Sequence, residues 1–216
     1  MLATKDQLDA FLGVFKAGDE LTYKKGEFII RPGQKPSGVF YIKSGIVKAY
    51  DISKYGEENM LVIRKENEIF PLIWAVTGQE RQIIYEALSP TVLLHVTRKK
   101  FYDTMRENPE TMVPVLDMVV EMYRVHSERI LNLEYRSVRE RLISFLLTMS
   151  QRFGETGDDG SIMIDVPLRQ QDIASSINAT RETTSREMNY LEKHGLLNNN
   201  QSIITLLEFE KLSAYL

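Results

Sequence analysis

The sequence predicts an α+β protein with three parts: an N-terminal antiparallel β-roll, a long helix and a C-terminal winged helix-turn-helix. Three observations predict this arrangement. Short apolar runs bounded by glycines fill the N-terminal part, a heptad seam of apolar side chains follows, and two short helices with a tight turn lie near the C-terminus. We place the three parts at residues 1–108, 109–137 and 138–216.

Composition limits the classes of protein to which the chain can belong. Its 216 residues carry 27 Lys and Arg against 30 Asp and Glu, a net charge of −3, so any contact with nucleic acid must be local. The absence of cysteine excludes disulfides, thiolate zinc sites, cysteine-held iron–sulfur clusters and a cysteine nucleophile. With three histidines, none close to another, we expect no metal site. The start has no signal-peptide pattern and no apolar run is long enough to span a membrane, so we expect a cytoplasmic protein.

The N-terminal part, from Leu21 to about Thr97, has the pattern of strands between glycine turns. Turns are predicted at Gly26, Gly33, Gly38, Gly45 and Gly56, and strands at Val39–Ile42, Ile46–Tyr50 and Met60–Ile63. Segments of this length and spacing indicate an antiparallel sandwich or roll. From Arg98 the period of the apolar residues becomes helical.

A long helix is predicted from Pro109 to Tyr135, with two apolar faces. The first face is a heptad seam that runs through Met112, Leu116, Val119, Tyr123, His126, Ile130 and Leu133. The second is a stripe of Val115, Met118, Met122 and Val125. We interpret the stripe as covering the roll and the seam as meeting a second copy of the helix; a buried helix in a monomer is the alternative. Pro114 is tolerated if Thr111 is the N-cap, because it then lies in the first turn.

A further helix is predicted at Val138–Phe153, ending at Gly154. Glycines and acidic residues make 154–160 the most linker-like stretch of the chain. We expect a small C-terminal unit to begin after it.

The most informative pattern lies between Leu168 and Gly195. A helix at about Gln170–Ser176 and a second at Arg181–Lys193 are joined by the turn Ile177-Asn178-Ala179, where Asn tolerates a positive φ. Thr180 is predicted to cap the second helix. Such a pair is a helix-turn-helix, whose second helix enters the DNA major groove.

A hairpin is predicted directly after Gly195, the residue placed just past the second helix. Its strands are Leu196-Leu197 and Ile203–Leu206, with a turn at Asn198–Gln201. This hairpin makes the helix-turn-helix a winged one.

The outer face of the second helix carries chemistry suited to reading bases. Arginine donates two hydrogen bonds to guanine and glutamate accepts one from cytosine, so the predicted base-reading residues are Arg181, Glu182, Ser185 and Arg186. Side chains near helix starts contact DNA phosphates, and those predicted here are Arg169, Gln170, Thr180 and Thr183. An ion pair between Glu182 and Arg186 on a purely structural helix is the alternative.

These features resemble the Crp-Fnr family of bacterial transcription regulators over about Leu21 to Leu206. The segment Thr180-Arg181-Glu182-Thr183-Thr184-Ser185-Arg186 is similar to the family's recognition-helix motif. The glycines at 26, 33, 45 and 56 match turns of its cyclic-nucleotide-binding β-roll, and Pro109–Tyr135 resembles its dimerisation helix. The resemblance implies a homodimer that senses a signal in the roll, binds a palindromic promoter site with a G-T-G-A-like core and works with RNA polymerase.

The resemblance also implies an effector site, and the sequence departs from the family there. Members that bind cyclic AMP carry a Glu that binds the ribose and an Arg-Ser or Arg-Thr pair that binds the phosphate. Residues 69–79 of this chain lack a carboxylate, and Arg81 is followed by Gln82. Ser127 matches a position that contacts the adenine, with His126 beside it. The candidate effector-binding residues are therefore Arg81, Gln82, His126 and Ser127, and cyclic AMP is not the expected effector.

Three features near the candidate effector site each have two interpretations. Arg81 either binds an anionic group or is a surface charge, and the apolar run Phe70–Val76 with Trp74 is either core or a ligand cage. His126 either fixes the register of the seam or senses pH or haem.

Two other functions compete with a DNA-binding regulator. A nucleotide- or small-anion-binding regulatory module that acts through a protein partner is the main alternative. An enzyme built on the roll, such as a metal oxygenase, has only His95 as a ligand histidine there and is not expected. The sequence assigns no cofactor and does not identify the effector. The predicted partners are double-stranded DNA, a second copy of the chain and RNA polymerase, without a membrane.

Overall fold

The computed structural model describes residues 2–200 and 203–216. The chain forms two compact units. The first contains the described residues up to Asp51 together with Leu61–Tyr123, and the second contains Ile52–Met60 together with the described residues from Arg124 onward.

Two four-stranded antiparallel sheets form the body of the first unit. One sheet has the strand order β1-β8-β3-β6 and the other β2-β7-β4-β5. Strand β5 begins in the residues assigned to the second unit and ends in the first. The strands are β1 (Asp19–Tyr23), β2 (Phe28–Ile30), β3 (Val39–Ser44), β4 (Val47–Ile52), β5 (Glu58–Arg64), β6 (Ile69–Phe70), β7 (Ile84–Ala87) and β8 (Thr91–Val96). The predicted roll is therefore confirmed.

A stack of aromatic rings joins the two sheets inside the roll. Phe70 on β6 lies between Phe40 on β3, at 5.2 Å between ring centroids, and Tyr85 on β7, at 4.7 Å. Both pairs are nearly parallel. Since burying aromatic rings contributes strongly to a core, this stack fixes the spacing of the sheets.

Three helices complete the first unit before the long helix: α1 (Lys5–Lys16), α2 (Leu72–Thr77) and α3 (Arg98–Glu107). Phe11 and Phe15 of α1 and Trp74 of α2 belong to one buried cluster that also contains Phe101 of α3. The run 70–76 is therefore mainly core: Phe70, Leu72, Trp74 and Ala75 are buried, while Ile73 and Val76 are exposed.

The long helix α4 spans Met112–Tyr135, after a single 3-10 turn at Pro109–Thr111. Pro114 lies in its first turn as predicted, where a missing backbone N–H costs nothing. The Thr111 hydroxyl donates to the carbonyl of Asn108 at 2.6 Å. No helix in the described chain is both long and apolar enough to cross a membrane.

The two faces of α4 differ in the way that the sequence predicts. On the stripe, Val115 and Met122 are 8% exposed, and Val115 packs in the same cluster as Phe101. The apolar seam residues are between 39% and 75% exposed in the single chain: Met112, Leu116, Val119, Tyr123, Ile130 and Leu133. A run of large apolar side chains left in solvent marks an interaction surface.

The second unit contains four further helices and a four-stranded sheet of order β11-β12-β10-β9. Ser137 is the N-cap of α5, and its side chain forms a capping box with Glu140. The elements are α5 (Val138–Phe153), β9 (Gly154–Thr156), β10 (Ile162–Ile164), α6 (Gln170–Ser176), α7 (Arg181–Lys193), β11 (Leu197–Asn200), β12 (Ile203–Leu206) and α8 (Phe209–Ser213).

The prediction that 154–160 is a linker is wrong. The first three residues of this stretch, Gly154–Thr156, form β9 and pair with β10. The stretch is therefore part of a hairpin within the second unit. A Cβ at Gly154 would lie 2.2 Å from the carbonyl oxygen of Ser150, so the glycine allows the strand to leave the helix directly. The local composition indicates flexibility, but pairing with β10 decides the structure.

The predicted turn at Asn198–Gln201 is also placed wrongly. Asn198, Asn199 and Asn200 belong to β11 and pair with β12, with Asn200 opposite Ile203. Buried Leu197 lies opposite buried Leu206 and anchors this register. Gln201 lies outside the described residues.

Candidate nucleic-acid interface

The turn between α6 and α7 has the geometry that its sequence predicts. Asn178 has φ +51°, a conformation that only glycine and asparagine adopt readily. The Ala179 N–H donates to the carbonyl of Ala174 at 3.0 Å, which closes the turn. Thr180 then caps α7, since its hydroxyl accepts from the Thr183 N–H at 3.1 Å. Helix α7 ends at Lys193 with His194 as its C-cap, and Gly195 follows with φ +68°.

The inner faces of α6 and α7 form one small core. Ile173, Ala174 and Ile177 are buried on the first helix and its end, and Met188 and Leu191 on the second. Ala174 is fully shielded, and its small side chain lets the helices approach closely. Because this core fixes the roll angle of α7, the opposite face of α7 is held toward solvent.

The four predicted base-reading residues lie together on that outer face. Arg181, Glu182 and Arg186 are exposed and Ser185 is half-buried. Their spacing places them on the first two turns of α7, on neighbouring rows of the helix surface. In the part of the chain that the structure describes, no ion pair joins Glu182 to Arg186, so both side chains are available for a ligand.

The four predicted phosphate-contacting residues lie at the starts of the two helices. Thr180 and Thr183 are joined through their hydroxyls at 3.0 Å, and Gln170 is half-buried in the first turn of α6. Arg169 precedes α6, and its guanidinium binds Asp172 through Nε at 3.0 Å and Nη2 at 2.9 Å. Its side chain remains 57% exposed, so this arginine supports the helix start and also faces solvent.

Two arginines of α5, neither of them among the predicted site residues, connect this helix to the turn and to α7. Arg141 donates from Nε to the carbonyl of Ile177 at 2.8 Å and from Nη2 to that of Asn178 at 3.1 Å. Arg139 binds Glu187 of α7 at 2.7 Å and lies over the Tyr190 ring at 3.5 Å. Nothing in the local pattern reveals these contacts, because the partners lie more than 30 residues away.

The four candidate effector-binding residues are divided between the two units. Arg81 and Gln82 are exposed in the loop between α2 and β7 of the first unit. His126 is exposed and Ser127 half-buried, both on the part of α4 that belongs to the second unit. Residues 2–200 and 203–216 contain no cluster of three metal-ligating side chains.

Comparisons with known proteins agree with this architecture. Residues 20–108 match a family model described as a cyclic nucleotide-binding domain, and residues 140–215 match one described as a Crp-like helix-turn-helix domain. The chain is 30% identical over 193 residues to the "Global nitrogen regulator" of Synechococcus elongatus, covering 88% of this chain and 86% of the relative. It is 24% identical over 207 residues to the "Fumarate and nitrate reduction regulatory protein" of Vibrio cholerae, covering 96% and 80%.

Solved structures share the fold. A mutant of CooA from Carboxydothermus hydrogenoformans superposes with a TM-score of 0.78 at 25% identity, covering 94% of this chain and 89% of that chain. FixK2 from Bradyrhizobium japonicum gives a TM-score of 0.79 at 23% identity, covering 92% and 96%.

A β-roll that matches the cyclic nucleotide-binding domain model, a long helix with an exposed seam and a helix-turn-helix with an open polar face define a DNA-binding transcription regulator. The chain belongs to the Crp-Fnr family of transcription regulators. The relatives named above are regulators rather than enzymes.

Proposed function

We propose that the protein binds a palindromic promoter site as a homodimer and that α7 reads the bases. The observation that carries this proposal is the outer face of α7, where Arg181, Glu182, Ser185 and Arg186 are gathered. The helix-turn-helix core holds this face in one orientation, and none of the four side chains is tied to an ion pair within the described chain. Preorganised donors and acceptors of this kind recognise base edges.

The seam of α4 supports the homodimer. A heptad pattern is typical of a helix that packs against a second helix, and in the single chain these side chains face solvent. Pairing two copies of α4 buries them and relates two α7 helices by a two-fold axis. A palindromic site then follows from the symmetry of the protein.

The predicted half-site contains a G-T-G-A-like core, as the resemblance of 180–186 to the family motif implies. Arg181 and Arg186 each carry the donor pair that binds guanine O6 and N7, and Glu182 carries the acceptor for cytosine N4. Arg169, Gln170, Thr180 and Thr183 contact phosphates on either side of this core. Two half-sites lie about 10 base pairs apart, centre to centre, or one helical turn.

The effector of this protein is not cyclic AMP. Residues 69–79 carry no carboxylate for a ribose: after β6 the chain continues as Pro71 and the helix α2, with Leu72 and Trp74 buried. Gln82, in place of a hydroxyl residue, is exposed beside Arg81. The cyclic-nucleotide contacts that the family resemblance implies are therefore incomplete.

We assign a sensor domain to residues 1–108, a dimerisation helix to 109–137 and a DNA-binding domain to 138–216. The protein acts in the cytoplasm with double-stranded DNA, and RNA polymerase is its partner at the promoter.

Selection of bound duplexes from random DNA by the purified, ligand-free protein tests this proposal. We expect inverted repeats with a G-T-G-A-like core, and the same selection with Arg181→Ala to lose one guanine preference. Lys193→Ala is the matched control, because Lys193 is exposed at the far end of α7. Selected duplexes without a dyad would contradict the proposal and favour a regulatory module that acts through a protein partner.

A further inference from the structure

Glu58, the first residue of β5, lies beside an arginine that the proposed function assigns to DNA. Its Oε2 is 4.0 Å from Nη2 of Arg169, the N-cap residue of α6. Both residues belong to the second unit. The Glu58 side chain is 30% exposed, but its Oε2 is shielded from solvent. The attraction between the two groups is therefore screened less than that of an ion pair in open solvent.

Contacts with α4 hold Glu58 in this position. Arg129 of α4 donates from Nη1 to the carbonyl of Met60 and from Nη2 to Oδ1 of Asn59 at 2.8 Å. Asn59 and Met60 follow Glu58 directly in β5. Because the strand is fixed at these two residues, the backbone of Glu58 has little freedom to move away from Arg169.

The Arg169 guanidinium has one edge occupied by Asp172, which accepts from Nε at 3.0 Å and from Nη2 at 2.9 Å. A second edge, formed by Nη1 and Nη2, can bind two oxygens of a phosphate. Glu58 lies next to Nη2, one of the two nitrogens of that edge. A phosphate that binds Arg169 through this edge therefore approaches the carboxylate of Glu58.

The charges of these three side chains disfavour a phosphate. The carboxylates of Asp172 and Glu58 face one guanidinium, so the group carries a net charge of −1. A phosphate adds further negative charge at short distance, and like charges repel. Without the Glu58 charge, the remaining pair of Arg169 and Asp172 is neutral and repels a phosphate less.

We propose that Glu58 competes with a DNA phosphate for Arg169 and so limits the affinity of the protein for DNA of any sequence. This inference rests on the proposed function, which assigns Arg169 to a phosphate. In the protein without DNA, the guanidinium lies between Asp172 and Glu58. In the complex, the phosphate takes the place of Glu58, while Asp172 keeps Arg169 at the start of α6. A phosphate contact carries no sequence information, so Glu58 sets the strength of binding and leaves the choice of bases unchanged.

Fluorescence anisotropy of a mixed-sequence duplex with the full-length protein at low salt tests this competition. Glu58→Gln removes the negative charge and keeps the size of the side chain, so we expect the affinity to rise about three- to tenfold. Glu57→Gln is the matched control, because it removes the same charge from the exposed neighbouring residue. Its smaller effect measures the change in net charge alone.

A double-variant cycle relates the gain to Arg169. In the Arg169→Ala background, we expect Glu58→Gln and Glu57→Gln to bind the duplex equally well, because the competition requires the guanidinium. A purely structural role of Glu58 predicts weaker binding by Glu58→Gln, since damage to β5 does not improve a DNA-binding surface.

Three results overturn the proposal while the wild type binds the duplex: equal affinities of Glu58→Gln and Glu57→Gln, weaker binding by Glu58→Gln, or a gain that persists in Arg169→Ala. Each of them leaves the proposed function standing. A wild-type protein that binds no duplex contradicts the proposed function itself and this inference with it.

Discussion

The guanidinium of Arg169 binds both carboxylate oxygens of Asp172, three residues further along, while the Arg169 N–H donates to the same carboxylate at 2.9 Å. Asp172 is fully buried, and this pair forms the cap of α6. A residue predicted to contact DNA phosphate thus also stabilises the helix that presents it.

We expect Arg169→Ala to weaken binding to all DNA sequences alike and to reduce the slope of log K against log salt by about one. Solvent screens the half-exposed arginine, but the substitution also removes the guanidinium from the buried Asp172 carboxylate, so stability falls by about 1–3 kcal/mol. Fluorescence anisotropy at several salt concentrations and urea unfolding measure the two effects. Gln171→Ala, an exposed neighbour without charge, is the control and leaves the salt slope unchanged. An unaltered slope in Arg169→Ala removes this residue from the interface.

Arg181→Ala tests direct base readout. We expect it to lose about 1–3 kcal/mol of discrimination at one base pair, because a bidentate contact to guanine disappears. Competition binding with operators that vary at each position measures the loss, and Lys193→Ala serves as the comparison. If the guanine preference survives Arg181→Ala, then α7 does not read that base.

Charged residues in the seam test the homodimer. Leu116→Glu together with Ile130→Glu places like charges where two copies of α4 meet, and we expect monomers without tight operator binding. Sedimentation velocity at micromolar concentration reports the state of assembly. Tyr102→Glu, at an exposed aromatic residue of α3 outside the seam, is the matched control and leaves the dimer intact. A wild-type protein that sediments as a monomer contradicts the prediction.

Cyclic AMP is expected to bind poorly. Each missing charge-assisted hydrogen bond costs about 1.5–3 kcal/mol, and two such losses weaken affinity by a factor on the order of 10² to 10⁴ relative to a complete site. Calorimetry with cyclic AMP, followed by operator binding in its presence, measures both steps. Micromolar affinity coupled to tighter DNA binding overturns the prediction.

The turn of the helix-turn-helix depends on Asn178. Alanine disfavours its positive φ by about 1 kcal/mol, so Asn178→Ala lowers the free energy of unfolding by that amount. Asn178→Gly, which adopts the same backbone conformation freely, is the matched variant and leaves stability nearly unchanged. Equal midpoints for the two variants in urea unfolding show that φ at this position does not limit stability.

Local signals in the sequence determined the helix-turn-helix and the two faces of α4. Asn178, Thr180 and Gly195 specify a turn, a cap and a helix end within a few residues, and the structure places α6 and α7 at the predicted bounds. The heptad period likewise determines which side chains of α4 are exposed. Helix α1 was not predicted, although Thr4 and Gln7 have the spacing of a capping box, which is a local signal for a helix start.

Only the tertiary structure decided the contacts between residues distant in sequence. Residues 154–156 become a strand because β10 pairs with them, against a composition that indicates a linker. Arg141 supports the turn at Ile177 from another helix, and Arg64 becomes a buried cation only when β5 joins the sheet that β2, β7 and β4 form. Such contacts form only when folding brings together residues that are far apart in the sequence. No local pattern of propensity or spacing encodes them.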